Sequence, residues 1–239
     1  MTTLERSTVS ATVVLKLRPW RHLAALAVLV SSFTWVASPA SAQTQQVVTA
    51  GSAAPAAGAA VSVGVVAYAE RFGAVCAACH GADGRSDMAG TPVLAGQHSL
   101  YAITQLFLFR EGRRNNEAMI ALAKQMTDAD LRGYSNFIGT LAPVAAPAPD
   151  SPADAARMGK GLALAQEHKC LMCHGASLDG GQGVPRIGGQ KEDYVRATLH
   201  GFKSGTRPGY TRAMTEALSQ VPVEDLDALA YYVANLTAK

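Results

Sequence analysis

Aromatic side chains are scarce in this sequence, at 6%, and both tryptophans, Trp20 and Trp35, fall close to the N-terminus. Much of the apolar content is alanine instead. Sheet-rich folds draw on β-branched and aromatic residues, so the shortage argues against them and favours helices. A long apolar run is missing too. The longest candidate spans only positions 23–36, against the ~20 residues that a membrane-spanning helix needs. Excess charge is absent once residues 1–42 are set aside. They hold four of the 21 basic residues and one of the 18 acidic ones, which leaves 17 of each. Such a balance implies no basic face for nucleic acid.

Residues 1–42 have the layout of a secretory signal. Arg18 and Arg21 precede the apolar run, and Ala40-Ser41-Ala42 offers small residues for cleavage. An uncleaved anchor is the rival reading. Residues 43–65 carry no charge and read as a flexible Ala/Gly-rich tether. Residues 142–152 hold four prolines, Pro143, Pro147, Pro149 and Pro152, and read as a stiff linker.

Cysteine is confined to four positions, and these sit in one pattern written twice. Cys76-Ala77-Ala78-Cys79-His80 recurs as Cys170-Leu171-Met172-Cys173-His174. C-x-x-C-H is the pattern of covalent c-type haem attachment. Two thiols at this spacing reach the two vinyl groups of one porphyrin, and the adjacent histidine turns its imidazole onto the iron. His80 and His174 are therefore the expected fifth ligands, with Cys76, Cys79, Cys170 and Cys173 as thioether donors. Two covalently bound haem c groups are expected. A zinc ribbon would need the cysteine pairs closer together, and a redox dithiol would need a strand–helix context. Neither explains a histidine after both pairs.

The surroundings of the motifs are copied as well. Leu94-Ala95-Gly96-Gln97 matches Ile187-Gly188-Gly189-Gln190, and Tyr101, Phe109 and Gly112 match Tyr194, Phe202 and Gly205, all at an offset of 93. Leu131 and Leu141 match Leu226 and Leu236 at an offset of 95. This is a duplicated domain, with copies over 66–141 and 153–239. Helices are expected over 66–75, 99–110 and 127–141 in the first copy, and over 153–169, 191–202 and 222–236 in the second. Thr127 with Asp130 supplies a capping signal and Pro222 a first-turn proline. Each copy is small enough that a polypeptide core alone contributes little stability, so haem is expected to complete it.

For the sixth ligand the candidates are methionine, histidine or none. Met119 follows His80 at an offset of 39, and Met214 follows His174 at an offset of 40. They also stand equally far before the last helix of each copy, Met119 ahead of Thr127 and Met214 ahead of Pro222. A thioether favours reduced iron. Met126 is the local competitor for Met119. Met88, Met126, Met158 and Met172 have no counterpart in the other copy and read as packing residues. His98 and His200 are not equivalent, and His168 is too close to Cys170 to reach the opposite face.

The run Cys76-Ala77-Ala78-Cys79-His80-Gly81-Ala82-Asp83-Gly84-Arg85-Ser86, followed by Pro92-Val93-Leu94-Ala95-Gly96-Gln97, resembles class I cytochromes c, and in particular the diheme cytochrome c4 group. Phe109-Arg110-Glu111-Gly112-Arg113-Arg114 is similar to that group's segment before the methionine. The resemblance implies an all-α fold of two tandem class I cytochrome c domains, each a small helical fold around one covalent haem. It implies that the first and last helices cross beside each haem, at Gly161 and Tyr232 in the second domain and at Ala67 and Phe137 in the first. It implies that the carbonyls of Pro92 and Pro185 accept the second imidazole N–H of His80 and His174. Arg113, Arg114 and Arg207 become candidate propionate partners, with solvated surface cations as the alternative.

The function expected from these features is periplasmic single-electron transfer. The expected partners are redox proteins of the respiratory chain, from quinol–cytochrome c reductase or a dehydrogenase to a terminal oxidase. Membrane contact is expected only through partners or an uncleaved N-terminal segment. A cytochrome subunit of a periplasmic dehydrogenase complex is the alternative. A haem enzyme such as a peroxidase is disfavoured by the paired methionines.

Overall fold

The same run of helices is laid down twice. The computed structural model of the chain describes residues 57–144, 146, 152–209 and 211–236, with side chains from Gly64 onward. The expected leader, residues 43–56 of the expected tether and most of the proline-rich segment lie outside the described residues. The first domain comprises α1 (Ala57–Val75), α2 (Ala77–His80), α3 (Ser99–Arg110), α4 (Glu117–Ala123) and α5 (Asp128–Ile138). The second comprises α6 (Ala155–Glu167), α7 (Cys170–His174), α8 (Glu192–Ser204), α9 (Ala213–Ser219), a 3-10 turn (Val223–Asp225) and α10 (Leu226–Asn235). Among the described residues there is no strand, only one isolated bridge between Gly181 and Val184.

α1 begins at Ala57, ahead of the expected start at 66, so residues 57–65 are helical and not tether. Glycines and an absence of charge suggest a linker there, but Ala57, Ala59 and Ala60 open the segment and alanine is the strongest helix former. Both α4 and α9 are seven residues long, too short to show a helical period in sequence. The last helices begin differently. Thr127 accepts from the Asp130 backbone N–H while the Asp130 carboxylate accepts from Thr127 N–H, a reciprocal capping box. Pro222 leads into a 3-10 turn before α10 instead.

In the first domain α1 and α3 pack on α5 around buried Phe72, Leu106, Leu131, Tyr134 and Ile138. In the second, α6 and α8 pack on α10 around Leu164, Val195, Leu226, Leu229 and Tyr232. Fully burying each such side chain is worth roughly 1.5–3 kcal/mol relative to exposure.

The helix crossing of the second domain is made by Gly161 and Tyr232. A Cβ on Gly161 would collide with the Tyr232 Cβ and lie 2.7 Å from the Ala228 carbonyl oxygen. The expected pair in the first domain, Ala67 and Phe137, is not the crossing. There the last helix supplies the glycine: a Cβ on Gly133 would strike the ring of Tyr68. Phe137 packs instead against Phe72, the rings tilted at 53° with centroids 5.0 Å apart. The expectation fails because the copies place bulk on opposite helices.

Candidate functional site: two matched haem motifs

Each C-x-x-C-H motif forms a short helical turn directly after the first helix of its domain. Helical spacing sets residues three and four apart on one face, so the two cysteines and the histidine share a side. His80 and His174 are buried, Cys76 and Cys170 half-buried, and Cys79 and Cys173 exposed. No disulfide links the four cysteines. Burial pushes the Cys76 thiol up to about 11, with Arg71 opposing and Cys79 adding to the shift. Burial likewise raises Cys170.

The histidine rings are fixed in the same way in both domains. His80 Nδ1 lies 3.1 Å from the Pro92 carbonyl oxygen, and His174 Nδ1 lies 3.1 Å from that of Pro185. A carbonyl only accepts, so the proton sits on Nδ1 and Nε2 keeps a free lone pair. Burial lowers the pKa of both rings, against the raising effect of the proline carbonyls; Arg114 adds to the lowering at His80. Both imidazoles are thus neutral bases, the form that binds a metal. The loop after His174 holds its acceptor through Gly180, whose φ is +68° and where a Cβ would lie 2.5 Å from the Pro185 oxygen. No residue with a side chain fits there.

α4 borders the same cleft as His80. Asn116 caps it, its Oδ1 accepting from the Met119 backbone N–H at 2.9 Å. Met119, Met126, Cys76 and His80 line one apolar cleft with Phe72 and Tyr134, about 320 Å³ including its mouth. The cleft therefore brings the histidine of domain one together with both methionines. Met126, two residues before α5, matches Val221, which is fully buried core in domain two. Met119 matches Met214, on α9, half-buried against the same core as Cys170 and Leu171. Pro92 and Pro185 lie beside their histidines as described, while His98 and His200 are bonded to Asp179 and Asp227.

The family model for cytochrome c matches this chain twice, over residues 69–142 and 158–237. Cytochrome c4 of Pseudomonas aeruginosa is 31% identical over 185 residues, spanning 75% of this chain and 92% of that protein. The thiosulfate dehydrogenase electron acceptor of Thiomonas intermedia is 34% identical over 166 residues, spanning 62% of this chain and 76% of that protein. The solved reduced cytochrome c4 from Pseudomonas stutzeri superposes with a TM-score of 0.65 at 27% identity, over 72% of this chain and 98% of that one. The chain belongs to the cytochrome c family, as a diheme member of the cytochrome c4 group. It carries two covalently bound haem c groups and transfers electrons.

The cytochrome's own residues fit those groups. Each domain offers a neutral histidine beside two cysteines, and in the first domain this set borders an apolar cleft. Between the domains lie two guanidinium groups in need of anions. Arg114 is 8% exposed, and its Nη1 donates to Gln105 at 2.8 Å and its Nη2 to the Tyr194 hydroxyl at 2.8 Å. Arg207 donates to the same hydroxyl at 3.2 Å. Burial alone would raise the Tyr194 hydroxyl, but the two arginines hold it down to about 8. Among the described residues no ion pair includes either arginine. Nε of Arg186, directly after Pro185, is buried without a hydrogen-bond partner and lies 3.6 Å from the Asp179 carboxylate. Propionates are the complementary charge. Arg113 is exposed.

What sequence reading missed is the surface that joins the domains. The glutamines of the two Gly-Gln motifs, Gln97 and Gln190, are 7% and 6% exposed and bond across it. Their identical place in the repeat is the available signal, but by itself it shows duplication and not contact.

Proposed function

We propose that this cytochrome is an exported, periplasmic carrier passing single electrons between respiratory redox proteins. Cys76 and Cys79 would anchor one haem, with His80 and Met119 supplying nitrogen and sulfur to its iron. Cys170 and Cys173 would anchor the other, with His174 and Met214. Each bound haem supplies a one-electron couple. The chain's part is to fix the ligands and exclude water. Pro92 and Pro185 orient the imidazoles and raise their basicity as ligands. The methionines and the apolar wall of the cleft favour the reduced state. Arg114 and Arg207 hold propionates in the join between domains. Export is supported by the signal-like layout of residues 1–42; among the described residues no helix is long and apolar enough to cross a membrane.

The observation that carries this reading is the cleft of the first domain, in which a histidine with its Nε2 free and two methionines, Met119 and Met126, line the same space. With His80 and Met119, and His174 and Met214, committed to holding the two irons, no bond-making step on a substrate would be assigned. A second reading concerns the donor. The 34% identity to a thiosulfate dehydrogenase electron acceptor supports a thiosulfate-oxidising dehydrogenase as an alternative source of electrons to quinol–cytochrome c reductase.

The test is stopped-flow reduction of the two-haem protein by each donor system, followed by reoxidation with a cytochrome c oxidase preparation and exposure to carbon monoxide. Rapid, complete reduction and reoxidation with no carbon monoxide shift is expected. A rapid stoichiometric carbon monoxide shift in either haem overturns the ligand assignment.

A further inference from the structure

The peptide group between Pro92 and Val93 is bonded at both ends. Its carbonyl oxygen receives His80 Nδ1–H at 3.1 Å. Its N–H, on Val93, donates to Gln190 Oε1 at 2.8 Å, and Gln190 Nε2 donates to the Val93 carbonyl at 2.9 Å. The second domain repeats this with ownership reversed. Pro185 O receives His174 Nδ1–H, Arg186 N–H donates to Gln97 Oε1 at 3.0 Å, and Gln97 Nε2 donates to the Arg186 carbonyl at 2.8 Å. The next residue of each motif reaches the same opposite loop: His98 to Asp179 O at 2.8 Å, and Lys191 to Met88 O.

We infer that Gln97 and Gln190 are positioning residues that tune the haem of the opposite domain, through the peptide whose carbonyl holds the axial histidine. This rests on His80 and His174 being the iron ligands. The side-chain amide matches the target at both ends, one acceptor for an N–H and one donor for a C=O. Asparagine falls a methylene short. A leucine leaves two buried backbone groups unpaired, and a glutamate keeps the acceptor but loses the donor. Gln97, Gln190, Val93 and Arg186 are all buried. Water does not substitute readily at such depth.

Bonding the N–H of a peptide polarises it and strengthens its carbonyl as an acceptor, since hydrogen bonds in series reinforce one another. A stronger acceptor on Nδ1–H makes the imidazole a better donor to iron, which favours the oxidised state. Removing the glutamine should therefore raise the potential of one haem. That haem belongs to the other domain.

The experiment uses the full-length two-haem protein. Gln190→Leu, Gln97→Leu and Gln190→Glu are compared by spectroelectrochemical titration, with each haem assigned by proton NMR. Gln190→Leu should favour reduction of the His80 haem roughly threefold, about 30 mV at 59 mV per tenfold, and leave the His174 haem in place. Gln97→Leu should do the converse. Gln190→Glu, which keeps an acceptor for Val93 N–H, should return the His80 haem to its original potential or below it. A merely structural role predicts equal shifts in both haems, or none, and no return with glutamate. Either result, or a shift confined to the mutated domain's own haem, overturns the inference. Loss of the Nδ1–H signal or of methionine ligation in the unmutated protein would instead strike the ligand assignment.

Discussion

Where the first and last helices cross, the two domains place their bulk on opposite partners. The first domain has Tyr68 on α1 and Gly133 on α5; the second has Gly161 on α6 and Tyr232 on α10. Close packing constrains the sum of the facing volumes and leaves open which helix is small. The exchange spreads outward. In the first domain the tyrosine recruits Arg71, stacked 4.7 Å from its ring and paired with Asp130 at 2.6 Å. In the second, Arg157 stacks 3.5 Å over Tyr231, whose hydroxyl accepts from the Asp154 backbone N–H at 2.6 Å. A duplicated fold thus preserves the crossing and rebuilds its supports.

Ligand substitution should separate the domains most sharply. Met119→Ala should abolish the methionine-to-iron charge-transfer absorption of the His80 haem and lower that potential alone. Met214→Ala should do the same for the His174 haem, while Met126→Ala keeps both bands. Absorption spectra with redox titration check all three. Loss of the band in Met126→Ala would reverse the assignment within the first domain.

A smaller, unequal effect is expected at the crossings. Gly161→Ala drives a methyl into the Tyr232 Cβ and the Ala228 backbone, neither of which can swing away, and should cost about 3 kcal/mol. Gly133→Ala meets the end of a side chain, the Tyr68 ring, and no backbone atom among its nearest neighbours, and should cost less, about 2 kcal/mol. Denaturant unfolding followed at the Soret band of each domain would read the difference. Tyr68→Ala combined with Gly133→Ala should recover most of the packing strain.

How much of this is legible in advance depends on whether a feature is local. The haem motifs, the repeat, the start of α3 and the Thr127 cap are written in neighbouring residues, and each is found where sequence reading puts it. The crossing in the first domain is misread because it pairs Tyr68 with the distant Gly133, and the partners have exchanged size relative to the other copy. α4 and α9 go unseen because seven residues hold too little periodicity. Gln97 and Gln190 are visible only as matched letters, since their meaning lies 89 and 97 positions away.

The smallest effect distinguishes the lead-ins to α5 and α10. Thr127→Ala should destabilise the first domain by about 1 kcal/mol. Pro222→Ala removes no cap hydrogen bond and should have less effect. The Thr127 hydroxyl and backbone N–H, then Arg71 and Tyr68, hold the Asp130 carboxyl well below the usual carboxylate range, against opposing desolvation. A depressed folded pKa stabilises above the unfolded value and loses that contribution as pH falls. Acid from about pH 4 downward should therefore weaken the first domain's cap with no equivalent at Pro222, and Thr127→Ala should flatten the dependence. Unfolding midpoints across pH 2–6, taken as roughly spanning the carboxylate range, would show it.

The crossed glutamines also bear on ancestry. A surface that binds a copy of itself is what a two-fold homodimer requires, with each residue meeting its partner's counterpart and being met in return. Gln97 and Gln190 hold one place in the repeat, and Val93 and Arg186 another, so a lone ancestral domain carrying both would already be self-complementary. Fusing two such genes turns a concentration-dependent encounter into a tethered one, at effective concentrations of about millimolar for a short linker. Identity of the halves is then no longer needed for assembly. Val93 differs from Arg186 and His98 from Lys191, as a tethered pair permits.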